Sequence, residues 1–76
     1  MSTVNIMIPS REAVEDFVAK ASRMPFDMDL QIGSRVVDAK SILGIIYLGF
    51  GRVLNLKLNK ENVAEAKAAL ADYVIA

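Results

Sequence analysis

The 76 residues allow one small core and no second one, and a hydrophobic share of 54% favours a packed domain over a disordered chain. Basic and acidic residues balance at 9 each, so the net charge of +0 removes the bulk attraction expected of a nucleic-acid or anionic-membrane binder. Cysteine and histidine are both absent, which excludes disulfides, thiol nucleophiles, imidazole bases and Cys or His metal ligands.

Val4, Ile6 and Ile8 alternate with Asn5 and Met7, the pattern of a first strand. Ser10, after Pro9, is placed to cap a helix with its hydroxyl. Val14, Phe17, Val18 and Ala21 follow at helical spacing, with Arg11, Glu12, Glu15, Asp16 and Lys20 on the wet side. Pro25 restricts Met24, so this helix is predicted to stop near Arg23. Met28, Leu30 and Ile32 alternate as a second strand, and Gly33-Ser34 is a two-residue turn with glycine first. Arg35–Asp38 returns as the partner strand. Ser41 is a second candidate cap, opening a short helix that runs to about Gly49, with Phe50 and Gly51 closing it. Leu54, Leu56 and Leu58 alternate with Asn55 and Lys57 as a fourth strand. The last element is an alanine-rich helix with Val63, Ala66, Leu70 and Tyr73 or Val74 on one stripe. Its cap is either Asn59 or Asn62, the latter forming a capping box with Glu65.

The order βαββαβα, with strands apolar on one side only, predicts a single α+β domain over residues 1–76. Its architecture is an open-faced two-layer β-sandwich, a four-stranded, mainly antiparallel sheet with three helices on one face. Residues 1–8 show no basic stretch followed by a long apolar run, and the longest apolar run, residues 42–51, is about half a membrane span. The expectation is a cytoplasmic protein with no membrane partner and no direct nucleic-acid partner.

Chemistry-bearing constellations are few. Glu12, Glu15 and Asp16 on the first helix and Glu61 and Glu65 on the last read as dipole partners and solvent-facing charges. No glycine-rich phosphate loop is present, and the strands lack the aromatic residues of an RNA-stacking sheet. We therefore expect no enzyme, catalytic residue, cofactor or metal. Two features remain. Ser41 can be a plain helix cap, or a serine whose phosphate would face the free N–H groups of a helix start. Behind it, Ile42, Leu43, Ile45, Ile46, Tyr47 and Leu48 cover every side of a short helix. An outer-layer helix cannot bury all of them, so some of Ile42, Leu43, Ile46 and Tyr47 should form an exposed patch for a partner, or for a homodimer. Ser10-Arg11 could hold an anion, but Glu12, Glu15 and Asp16 oppose it, and an ordinary solvated turn is expected.

The segment Val37-Asp38-Ala39-Lys40-Ser41-Ile42-Leu43-Gly44-Ile45-Ile46-Tyr47-Leu48-Gly49 resembles the regulatory-serine segment of the HPr family, the small phosphocarrier proteins of the bacterial sugar phosphotransferase system. It is most similar to HPr and Crh of Gram-positive bacteria, where Lys-Ser-Ile-Met-Gly is typical, and the likeness extends without gaps over residues 10–49. The family's active site is a His at the start of the first helix, followed closely by Arg-Pro. Here Ser10 stands in that place, followed by Arg11 and Glu12, so the resemblance implies a relative that cannot carry phosphohistidine. It further implies that Ser41 is phosphorylated with ATP by an HPr kinase/phosphorylase-like kinase, and that the modified protein binds a LacI-type transcription regulator in carbon catabolite regulation. Ile42, Leu43, Ile46, Tyr47 and Lys40 would then be the partner-binding residues, with Tyr47 replacing a small family residue. The alternative is an unphosphorylated, diverged interaction module that self-associates or binds one protein through the same patch.

Overall fold

In a computed structural model, which describes residues 1–75, the elements follow the predicted order. They are β1 (Ser2–Met7), α1 (Arg11–Ser22), β2 (Asp29–Ile32), β3 (Arg35–Asp38), α2 (Ile42–Leu48), β4 (Val53–Leu58) and α3 (Val63–Ala69). The strands form one sheet in the order β1-β4-β2-β3, with every pairing antiparallel. The period-2 pattern explains the layering. Val4 stands opposite Leu56, Ile6 opposite Leu54, and Leu30 opposite both Leu56 and Val37, so these side chains share the face that the helices cover. The opposite face carries Thr3, Asn5, Asn55, Lys57, Asp29 and Gln31 and has no helix over it.

The helices bury the stripes their spacing predicts. Val14, Phe17, Val18 and Ala21 of α1, Ile45 and Leu48 of α2, and Ala66 of α3 join the buried strand residues in one core. That core contains no buried polar or charged residue. The turn between β2 and β3 has the two-residue length expected, since Ile32 pairs with Arg35. Gly33 takes φ +57 there while Ser34 stays out of the left-handed region, which is the glycine-first geometry.

The end of the chain departs from expectation. Lys60–Asn62 forms a 3-10 turn, and Ala71–Tyr73 a second one, so the helical stripe is split around a short α3. Neither Asn59 nor Asn62 makes a side-chain capping bond. The capping box fails because Asn62 already has helical dihedrals (φ −101, ψ −3), whereas a cap residue must be extended to turn its side chain back. After the second turn, Val74 bridges Ile6 and the Ile75 N–H donates to the Asn5 carbonyl at 2.9 Å, covering the outer edge of β1. No helix among the described residues is long and apolar enough to cross a membrane.

Candidate functional site

Ser41 is delivered by a tight turn out of β3. The Asp38 carboxylate accepts the Lys40 N–H at 2.8 Å, and the Asp38 carbonyl accepts the Ser41 N–H at 3.1 Å. Ala39, fully buried, donates its N–H to the Met28 carbonyl and so anchors the turn on the chain before β2. Ser41 itself is extended (φ −108, ψ 113), and its Oγ accepts the Gly44 N–H at 3.0 Å. This satisfies one of the donors that a helix start leaves without an internal partner. The first turn of α2 holds no acidic residue, so nothing in it opposes a negative charge placed there.

The glycine three residues beyond Ser41 has a steric reason. A Cβ on Gly44 would stand 3.1 Å from Ser41 Oγ and 3.1 Å from the Val37 Cβ. A side chain at 44 would therefore fit only if the capping oxygen and the strand β3 gave way by a few tenths of an ångström. The Lys-Ser-Ile-x-Gly pattern is thus a packing motif as well as a sequence one.

α2 divides into two sides. Ile45 and Leu48 are buried, and Ile46 is half-buried against the core. Leu43 is 80% exposed, Tyr47 68% and Ile42 40%. The expected apolar patch is present, with Leu43 and Tyr47 one helical turn apart at its crest. Lys40 points elsewhere: its Nζ donates to the Met24 carbonyl at 2.8 Å, bracing the turn against the end of α1. Arg35 reaches the crest, its guanidinium carbon 5.7 Å from the centre of the Tyr47 ring. Arg52 lies against Gly49 at the far end of α2. Sequence reading did not single out either arginine. The signal for Arg35 was its parity with Val37, which puts it on the helix-covered face of β3.

Ser10 caps α1 as predicted, accepting the Ala13 N–H at 3.3 Å, and Arg11 and Glu12 are exposed. The Gly51 N–H donates to the Ile8 carbonyl at 2.7 Å, so the loop after α2 meets the chain just before Ser10. Ser10 and Ser41 cap different helices, α1 and α2, each through its own backbone N–H partner. The described residues form no pocket and contain no group of His, Cys, Asp or Glu side chains placed to hold a metal ion, so the candidate site is a surface.

One carboxylate does more than face solvent. The Tyr73 hydroxyl donates to the Asp16 carboxylate, and Lys20 lies 3.1 Å from both Asp16 and Asp72. The Tyr73 ring meets Phe17 edge-on at 5.4 Å and lies under the Lys20 ammonium. The Tyr73 hydrogen bond, with help from Lys20, holds Asp16 below the ordinary carboxylate range. Burial, then the Asp16 bond, pushes the Tyr73 phenol up to about 12. This cluster ties the end of the chain to α1, far from Ser41 in sequence and with none of its groups on α2.

No family model matches the sequence, and no curated protein matches it. Solved structures do. HPr-C-His from Thermoanaerobacter tengcongensis is 32% identical, with 95% of this chain and 89% of that one covered and a TM-score of 0.77. The phosphocarrier protein HPr from Bacillus anthracis is 25% identical, with 97% and 96% covered and a TM-score of 0.69. The chain belongs to the HPr family.

Proposed function

We propose that this member of the HPr family is a cytoplasmic regulatory binding module, phosphorylated on Ser41, that docks proteins through the exposed side of α2. The observation that carries the reading is the placement of one hydroxyl: Ser41 Oγ sits at the start of a helix whose outer side presents Ile42, Leu43 and Tyr47. In the proposed step Ser41 Oγ attacks the γ-phosphorus of ATP, the bond to ADP breaks, and the serine proton leaves to a base of the kinase. The phosphate adds about −1.5 to −2 charges and strong acceptor oxygens at one end of an apolar ridge. A partner with basic groups at that position would then gain charge-assisted hydrogen bonds that the unmodified protein cannot offer.

The chain has no histidine, so a phosphoramidate on imidazole cannot form on it. Ser10, at the start of α1, is a poor substitute, because a serine phosphoester transfers much less readily than a phosphoramidate. The reading therefore separates this chain from phosphoryl relay and keeps it in signalling, with an HPr kinase/phosphorylase-like enzyme and a LacI-type regulator as the partner classes.

The test is mass spectrometry after incubation with ATP and such a kinase, with an HPr as control in the same tube. One added phosphate, mapped to Ser41 and missing in Ser41→Ala, supports the reading. No gain while the control is modified leaves Ser41 as a cap and makes the chain an unphosphorylated interaction module.

A further inference from the structure

We propose that Arg35 and Tyr47 form a specificity element, selecting a protein partner whose apolar contact surface carries a carboxylate at its margin. This rests on the docking role of α2 and adds the residues that choose what docks. Tyr47 stands 68% exposed on the last turn of α2, one turn beyond the 80% exposed Leu43, so the two form part of one apolar patch. The Tyr47 ring is held by Arg35, which reaches it from the first residue of β3. A guanidinium against a ring keeps its in-plane N–H donors free, and those are the donors that grip a carboxylate with two parallel bonds.

Nothing described on this chain supplies that carboxylate. The ion pairs among the described residues belong to Lys20, and α2 contains no charged residue. Arg52, at the end of α2, likewise has no ion-pair partner among the described residues. The C-terminal half of the ridge thus offers cations and apolar area without an anion. Tyr and Arg are also the side chains that concentrate binding energy at interface centres, and a ring already held by a neighbour loses little freedom on docking. A second copy is a poor occupant. Its own α2, which contains no charged residue, brings no carboxylate for Arg35 to grip.

The charge layout is also polar along α2. Arg35 and Arg52 mark its C-terminal end, and Ser41, where a phosphate would go, marks its N-terminal end. The partner's carboxylate and a cation reading the phosphate would therefore contact opposite ends of the same helix.

The experiment follows the amide resonances of the isotope-labelled chain during titration with three amphipathic helical peptides. They share one apolar face and carry Glu, Gln or Lys beside it. The Glu peptide should bind tightest and shift Arg35, Leu43 and Tyr47. Arg35→Gln should weaken it about tenfold or more, the lower end for a hydrogen bond to a charged group. Tyr47→Leu, which keeps apolar area but removes the ring, should erase the preference for Glu over Gln. Both positions are exposed, and a thermal melt confirms that the variants fold. If Glu and Gln peptides bind α2 equally, if the Lys peptide binds tightest, or if Arg35→Gln changes nothing, the specificity element is wrong and docking on α2 survives. If no peptide shifts α2, the specificity element falls, while modification of Ser41 is decided separately by the mass-spectrometric test.

Discussion

At Ser41 the oxygen that caps α2 by accepting the Gly44 N–H is the same atom that would receive a phosphoryl group, in exchange for its proton. Ser41→Ala removes the acceptor from the Gly44 N–H and should cost about 1 kcal/mol, the usual worth of an N-cap. Ser41→Asp should recover most of that, because an aspartate caps as well as a serine, and should also place a permanent negative charge at the helix start. Urea unfolding of the three proteins gives the comparison. Equal midpoints for wild type and Ser41→Ala would show that the cap bond carries no weight. Gly44 supplies a second expectation. Alanine there gains helix propensity worth about 1 kcal/mol but must press on Ser41 Oγ and the Val37 Cβ, both at 3.1 Å. The Val37 Cβ moves only if β3 moves, and overpacking costs about 1–3 kcal/mol, so a net loss near 1 kcal/mol is expected in the same assay. Residue type alone made Ser10 and Ser41 legible as caps, since each is a serine immediately before a helical apolar stripe. It misled at Asn62, because capping needs an extended backbone and the 3-10 turn at Lys60–Asn62 gives Asn62 helical dihedrals instead, and at Asn59, which is extended but makes no side-chain capping bond.

Within α2 one side of a short helix is buried and the other exposed, and substitution should separate the two. Leu43 is 80% exposed and Ile45 is fully buried, although only one glycine lies between them. Leu43→Asp should leave stability within about 0.5 kcal/mol, as surface changes do, and should abolish the proposed docking on α2. Ile45→Ala should cost about 2–5 kcal/mol through the cavity it opens, a large share of a small domain's stability. Denaturation curves beside peptide titrations read both effects. A Leu43→Asp protein that unfolds as easily as Ile45→Ala would mean the exposed side is part of the core after all. The sequence showed that a helix apolar on every side must expose something, because an outer-layer helix has core beneath only one face. It did not show that Ile46 would be half-buried while Ile42 and Tyr47 stand out. That choice is made by where α1 and β3 pack against α2, which depends on contacts distant in the chain. Arg35 was missed for the same reason. Its parity with Val37 was readable, but its approach to Tyr47 depends on the angle at which α2 crosses the strand.

Over the whole molecule, the closing contacts join residues more than fifty positions apart, and they should make stability depend on pH at both ends of the scale. The Tyr73 hydroxyl bonds Asp16 of α1, Lys20 bridges Asp16 and Asp72, and the segment after Tyr73 lies along β1 through Val74 and Ile75. None of this was visible beforehand: Asp16 read as a solvent-facing charge, and Tyr73 as one of two candidates for a stripe. The sign of the acid effect follows from Asp16, whose carboxyl is held down chiefly by the Tyr73 hydrogen bond and then by Lys20. Its unfolded form takes up a proton at higher pH than its folded form. The stabilisation is therefore present above the ordinary carboxylate value and lost as pH falls through the lowered one. On the alkaline side the Tyr73 phenol is raised from 10.0 to about 12, first by burial and then by Asp16. Between those values the unfolded phenol ionises and the folded one does not, so stability falls as pH rises, and the raised Lys20 acts in the same direction. Tyr73→Phe should cost about 1 kcal/mol at neutral pH and flatten both limbs of the profile, since it removes the ionising phenol and the main cause of the Asp16 shift. Asp16→Asn should flatten the acid limb while leaving the alkaline fall that burial of Tyr73 causes. Unfolding midpoints at pH 3, 7 and 11 for the three proteins decide the matter. If Asp16→Asn keeps the full acid sensitivity of the wild type, the clamp between α1 and the end of the chain is not what acid releases.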